Sequence, residues 1–372
     1  MVDFCNYLKR IFIFYLYFRV YTCFLLNRKN YLYIGAVHID NVGDTLLFKI
    51  IKNNLASVNL VPVVPNPFSE NTLLYFIFEV MLKIFFMGGR GYCGIVVGGG
   101  TLLNNNFFFK QVSKYYNDKL PLFVVGAAVC STEYGNSSLR QESKYLKNAK
   151  MILVRDPASQ SRLESISIMS RVIGDPVLGL GSQNITEMEN KGIRIAVNLV
   201  SPKQNILMNQ CVVVEQVKRM IQYCLTQGYL VDFLAFNAED YNFINKIIAE
   251  GRINSVPVVK CYNFSTRILA EINRYKLVVS QRLHGCIISA SFLVPCVSIA
   301  YDRKCSDFMD SIGMSDYVVL SNNQNVDVLV NYIRDIEQNY SSIKRKLYKN
   351  VGYFISRQAE AFLELKQIIY VS

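Results

Sequence analysis

The stretch SQRLHGCIISASFLVPCVSIAYDRK, residues 280–304, decides how the rest of this 372-residue chain is read. An apolar run at 277–279 stops at Ser280-Gln281-Arg282-Leu283-His284-Gly285; a small-residue, helix-compatible segment follows at 286–292, and a second apolar run covers 295–300. Strand, loop, helix, strand is the repeat of a parallel α/β sheet, in which loops leaving the carboxyl ends of the strands form the ligand crevice. Arg282 and His284 then lie at one rim of that crevice, and Tyr301 to Lys304 at the next. The pattern predicts a helix start at Gly285, where free backbone N–H groups and the positive end of the helix dipole suit an anion such as phosphate. An imidazole is suited to moving protons near neutral pH, and the chain has two, His38 and His284. The plainer reading of the same residues is a surface arginine and a capping or packed histidine.

Upstream, the same alternation continues. Residues 31–37 read as a strand, followed by the polar turn His38-Ile39-Asp40-Asn41-Val42-Gly43-Asp44 and a helix with apolar positions Leu46, Leu47, Ile50, Ile51 and Leu55. Asn41 and Gly43 make a turn that lets the backbone approach a ligand; Asp44 reads either as the cap of that helix or as part of the ligand loop, and His38 as a structural histidine. Pro62, Pro65 and Pro67 mark a loop before an aromatic helix at 73–87. A buried strand at 95–97 ends in Gly98, Gly99 and Gly100, whose bare N–H groups fit phosphate or sugar oxygens; a tight turn is the alternative. Strands at 122–128 and 151–154 follow, the latter running into Arg155-Asp156-Pro157. A guanidinium at a strand end faces the crevice and holds a carboxylate or phosphate by two hydrogen bonds, unless it is spent on Asp156. Ser159 reads as the cap of the next helix, and residues 172–173 lead into Gly174-Asp175-Pro176.

Residues 179–192, GLGSQNITEMENKG, are polar, glycine-flanked and aperiodic, and mark the boundary between two units. Strands are expected beyond it at 193–199, 229–236, 256–262, 277–279, 297–300 and 317–320, and residues 326–369 as helix with a break near Gly352. The chain therefore divides into an aromatic, basic segment 1–30, an α/β domain 31–185 and a second α/β domain 186–372.

Hydrophobic residues make up 51% of the chain and charged residues 18%, which excludes general disorder. A formal net charge of +12 favours anionic partners, yet Lys and Arg are scattered and no nucleic-acid-binding motif occurs, so nucleic acid is not expected. The ten cysteines are dispersed, without C-x-x-C or zinc spacing, and point to buried thiols in the reducing cytoplasm; Cys286, beside the Gly285 loop, is read as packed core. In segment 1–30 the longest clean apolar run, 11–18, is far short of the ~20 residues of a membrane span. Its aromatic and basic residues fit either a helix packed on the fold or an interfacial helix at the inner face of the membrane.

Arg282-Leu283-His284-Gly285, followed by Pro295 and by Tyr301-Asp302-x-Lys304, resembles the signature of the polysaccharide pyruvyl transferase family. The resemblance extends upstream to Asn41-x-Gly43-Asp44, Gly98-Gly99-Gly100-Thr101-Leu102, Val154-Arg155-Asp156 with Ser159, and Gly174-Asp175-Pro176, in the family's order. It implies two Rossmann-like parallel-sheet domains facing a cleft, the GT-B-like layout. It further implies transfer of a pyruvyl group from phosphoenolpyruvate to two hydroxyls of a sugar, giving a pyruvate ketal in surface polysaccharide, with phosphoenolpyruvate as donor substrate and neither cofactor nor metal. His284 and Asp44 are then the expected catalytic residues. Arg155, Arg282, Leu283, Lys304, Tyr301, Asn41, Gly43, Gly98, Gly99 and Gly100 are expected to bind substrate. The acceptor is expected to be a sugar or a lipid-linked oligosaccharide. Two alternatives stand beside this: a GT-B glycosyltransferase with a nucleotide-sugar donor, and a non-catalytic relative that binds anionic glycans or membrane through its N-terminal segment.

Overall fold

The structure is a computed structural model of the full chain and describes residues 29–35, 37, 42–63, 92–104, 106–116, 118–130, 137–183, 193–202, 210–262 and 271–371. The N-terminal segment 1–28, His38, Asn41, the aromatic stretch 73–87 and most of the interdomain linker lie outside the described residues.

The first domain contains β1 (Asn30–Ile34), α1 (Val42–Asn54), β2 (Asn59–Pro62), β3 (Gly94–Leu103), α2 (Asn106–Tyr115), β4 (Leu122–Val129), α3 (Ser137–Leu146), β5 (Met151–Val154), α4 (Pro157–Glu164) and β6 (Arg171–Val172). Its six strands are all parallel, in the order β2-β1-β3-β4-β5-β6. A short 3-10 segment, Pro176–Gln183, leads to the second domain. That domain contains β7 (Arg194–Asn198), α5 (Gln210–Thr226), β8 (Leu230–Ala235), α6 (Ala238–Ala249), β9 (Val258–Lys260), β10 (Leu277–Ser280), α7 (Leu283–Ser291), β11 (Cys296–Ala300), α8 (Arg303–Ser311), β12 (Val318–Leu320) and α9 (Val328–Val371). Its sheet is again six parallel strands, in the order β12-β11-β10-β7-β8-β9. The central strands β1, β4, β10 and β11 are buried along their whole length, because helices cover both faces of a parallel sheet; this is why they read as apolar runs rather than as alternation.

Four local expectations are corrected. Pro62, expected in a loop, is the last residue of β2, and a proline is tolerated there because β2 is an edge strand. β3 does not stop at Val97 but runs on to Leu103 through the three glycines, with positive φ at Gly99 and Gly100 and a register shift against β4 between Thr101 and Leu103. The helix after β10 starts at Leu283, with Arg282 as its N-cap, two residues before the expected Gly285. Finally, α9 is unbroken over 44 residues; Gly352 sits inside it, facing open space, and causes no break.

α9 also ties the two domains together. Leu329, Ile333 and Ile336 pack in the core that fills the second domain, whereas Phe362, Leu365 and Ile369 pack with Tyr31 and Tyr33 of β1 and with Ile51 of α1. The second-domain core also takes in Val42, Leu46 and Leu47 from the buried face of α1. The α1 amino terminus is thereby held across the interface, against the carboxyl edge of the second sheet. Arg162 of α4 adds a polar tie, at 3.3 Å from Asp307 of α8. No helix among the described residues is long and apolar enough to cross a membrane.

Candidate functional site

Parallel strands deliver their carboxyl ends to one edge, and the two domains bring those edges together. β10 ends at Ser280, and its loop is fixed by Asn198 at the end of β7, whose Oδ1 accepts from the Arg282 amide at 3.0 Å and from Ser280 Oγ at 3.3 Å. With the loop so held, Leu283 turns into the core and His284 projects across the interface onto Gly43 of α1. A Cβ on Gly43 would overlap the imidazole ring, so only glycine lets ring and helix meet. Leu283, expected to bind substrate, is a packing residue that anchors the first turn of α7.

His284 is surrounded by cations. Burial, then Arg155, Lys304 and Arg282, lower its pKa from 6.5 to about 3. It is neutral at physiological pH, and its Nε2 is shut off from solvent with no hydrogen-bond partner among the described residues. Cations and burial keep this imidazole unprotonated and make it a weaker base than a free one; an anion bound among the cations would offset them.

The cations are themselves anchored by carboxylates. Arg282, 12% exposed, pairs through Nε and Nη2 with both oxygens of fully buried Asp240, at 2.5 and 2.8 Å. Asp240 stands in the first turn of α6, where its amide is capped by Asn237. Arg155, at the end of β5, places Nε 3.1 Å from Asp156 Oδ2, the salt bridge that the sequence left as an alternative. The other oxygen of Asp156 accepts from the Ser159 amide at 2.8 Å, so Asp156 caps α4 and Ser159 does not; Ser159 Oγ instead accepts from the Val129 amide at 2.9 Å. Lys304 lies in the first turn of α8, 3.6 Å from Asp302 and over the Tyr301 ring at 5.2 Å. Burial lowers its pKa, but Tyr301 and Asp302 outweigh that and leave it raised. A pocket of about 320 Å3 opens beside this loop at the carboxyl ends of β11 and β12, lined by Tyr301, Asp302, Arg303, Ser306, Ser321 and Asn322 among others.

On the first-domain side, Asp44 is a part-buried residue in the first turn of α1 rather than the cap, since the helix already begins at Val42. Its charge reaches Tyr33, Arg282 and Asp175. The three glycines divide by role. A Cβ at Gly98 would strike the ring of Tyr33, and one at Gly99 would press on Leu47, so both permit the close packing of β3 on its neighbours. Gly100 faces open space with φ of 75° and is the one of the three available to a ligand. Tyr33 donates to the Gly98 carbonyl at 2.6 Å, and burial followed by Asp44 and Asp175 pushes its pKa well up.

Two site residues were missed as such from the sequence. Asp240 has no signature, because its partner is 42 positions away. Asp175 was quoted only as part of Gly174-Asp175-Pro176; it is 1% exposed, its Oδ1 accepts from the Val177 amide at 3.0 Å, and its Oδ2 has no partner among the described residues. Burial raises its pKa from 3.8 to about 6, against the opposing pull of Arg155. Cys286 is plain core, its thiol pushed up by pairing with Cys296 and by burial. Among the described residues no group of three His, Cys, Asp or Glu side chains is placed to hold a metal ion.

A family model described as polysaccharide pyruvyl transferase matches residues 7–303. No curated protein sequence matches the chain. Among solved structures, a Listeria monocytogenes protein described as a UDP-N-acetylglucosamine 2-epimerase is similar at TM-score 0.60 and 10% identity, over 93% of this chain and 98% of its own. The UDP-GlcNAc 2-epimerase of Neisseria meningitidis follows at 0.57 and 9%, over 90% and 100%. A glycosyltransferase of Rickettsia africae reaches 0.52 and 11%, over 91% and 98%. At such identities the likeness is one of fold, and the fold is the GT-B-like pair of parallel-sheet domains.

Proposed function

The chain belongs to the polysaccharide pyruvyl transferase family, and from that premise we propose that it transfers the pyruvyl unit of phosphoenolpyruvate to two hydroxyls of a sugar. The observation that carries this reading is the convergence of Arg155, Arg282 and Lys304 on one neutral imidazole whose Nε2 is shut off from solvent. Phosphoenolpyruvate holds a phosphate and a carboxylate on one small skeleton, so its site needs separated cations, and these three come from three different strand ends. Asp240 fixes the plane of the Arg282 guanidinium before any ligand arrives, which lowers the ordering cost of binding. His284 takes the proton of the attacking hydroxyl, and Asp44, at the foot of α1, orients the acceptor. Fixed charges supply most of the acceleration. The pocket beside Tyr301 has the hydroxyls, amide and aromatic face that suit the acceptor's sugar ring. A lipid-linked acceptor, reached by a protein seated at the inner membrane face, fits the basic and aromatic segment 1–30.

The test is thermal stability with and without phosphoenolpyruvate, beside a panel of nucleotide sugars, repeated for Lys304→Gln. A ligand that binds the folded state raises the melting temperature by mass action. Phosphoenolpyruvate is expected to stabilise the wild type and to do so less in K304Q. Stabilisation by a nucleotide sugar and none by phosphoenolpyruvate overturns the reading in favour of glycosyl transfer.

A further inference from the structure

The proposed reaction needs one group that gives a proton to carbon and another that takes the proton of the first attacking hydroxyl. His284, unprotonated amid three cations, has no proton to give to carbon, and it can take one from a hydroxyl once the anionic donor offsets those cations. The other side chain at the junction with a buried, unpartnered polar atom among the described residues and a readily transferred proton is Asp175, through Oδ2. We propose that Asp175 is the acid that protonates the methylene carbon of phosphoenolpyruvate, while His284 takes the proton of the first attacking hydroxyl and hands it to the departing phosphate; the inference rests on the donor reading above.

Geometry holds Asp175 in that position. Its Oδ1 is spent on the Val177 amide at 3.0 Å and its carbonyl accepts from Gln358 Nε2 of α9 at 2.7 Å. The 3-10 segment that it introduces packs against both α1 and α7, the helices that carry Gly43 with Asp44 and His284. The charged and titratable groups around it are Arg155 and Asp156 from the end of β5, Asp44 from α1 and Tyr33 from β1. Arg155 acts on Asp175 and His284 alike. Burial prevails over Arg155 and lifts Asp175 to about 6, whereas burial and the cations lower His284 to about 3. Environments that drive two groups apart in this way separate acid from base. The negative charge of the donor raises the carboxyl further, towards neutral pH.

The step balances. The Asp175 proton adds to C3, and the C2–C3 π pair becomes the new C–H bond. The first sugar hydroxyl adds to C2 and passes its proton to His284. Phosphate then departs with the C2–O pair and takes up that proton. The second hydroxyl adds to C2, its proton returns to the Asp175 carboxylate, and both residues are restored.

Asp175→Asn is the decisive variant, because asparagine keeps an oxygen for the Val177 amide and caps as well as aspartate. It is expected to retain the wild-type stabilisation by phosphoenolpyruvate and to lose at least about 100-fold in phosphate release, measured with a panel of methyl hexosides as acceptors. In wild type, kcat/KM falls as pH rises through the pKa of the acid, about 6 in the free protein, and Asp175→Glu moves that limb. An acceptor-free reading is infrared: the phosphoenolpyruvate complex at pH 7 shows a protonated-carboxyl band that D175N lacks. Turnover of D175N within a few-fold of wild type, or absence of that band, overturns the inference. Absence of any phosphoenolpyruvate-induced stabilisation in wild type instead overturns the donor reading on which it stands.

Discussion

The two rims of the cleft are built alike and balanced differently. Each places an arginine at the carboxyl end of a strand against a buried carboxylate: Arg155 against Asp156 in the first domain, Arg282 against Asp240 in the second. On the second rim the match is one to one, and Lys304 has Asp302 beside it. On the first rim one buried arginine faces two buried carboxyls, Asp156 and Asp175, and among the described residues only Asp156 bonds to it. A balanced rim is a rigid anchor for anions. An unbalanced one leaves an acid with a proton to give, and the difference separates binding from proton transfer.

The largest effect that can break this comparison is on stability. Arg282→Ala leaves Asp240 buried and without its bidentate partner, and is expected to cost about 3–5 kcal/mol. Arg155→Ala leaves Asp156 still bonded to the Ser159 amide and is expected to cost less, about 1–3 kcal/mol. Equal losses in urea denaturation would show that the rims are equivalent.

The next effect is the pH dependence of Asp175. Its folded pKa is raised above the unfolded value, so its contribution is most favourable below 3.8 and is lost as pH rises through about 6. Two units correspond to roughly 3 kcal/mol. D175N should therefore be more stable than wild type at pH 8 by up to that amount, and nearly equal to it at pH 4. A stability difference that does not change with pH would restore the symmetry of the rims. The smallest effect sharpens the local detail: Ser159→Ala removes the acceptor for the buried Val129 amide and should cost about 1–2 kcal/mol, where mere loss of a helix-capping residue would leave that amide untouched.

How legible these features are in the sequence follows from their range. The strands of the second domain show as apolar runs at 193–199, 229–236, 277–279 and 297–300, each readable within its own window, and the strands lie there. Arg155 and Asp156 are adjacent, so their pairing was open to view as one of two readings. The Arg282–Asp240 pair joins two loops of one sheet, and the His284–Gly43 contact joins two domains; no local pattern encodes either. The glycine triplet was misplaced for a related reason. A positive φ normally ends a strand, yet here β3 continues through Gly99 and Gly100, and the glycines at 98 and 99 are needed because Tyr33 and Leu47 occupy the space of their side chains. Asp44 lay one turn further into its helix than a cap would, and Asp175 looked like a turn residue until its buried surroundings were in view.

The course of α9 has a consequence for how the protein comes into being. The helix rises through about 66 Å, and its final turns supply Phe362, Leu365 and Ile369 to the core beneath β1, the first strand among the described residues. During synthesis the first sheet emerges long before these residues do, with Tyr31, Tyr33 and Ile51 still lacking their apolar cover. The second domain is the one that closes the first: β1 and α1 complete their burial only once α9 has been made. A chain interrupted late in α9 would thus fail at its beginning, exposing the oldest part of the molecule to proteolysis while the newest remained folded.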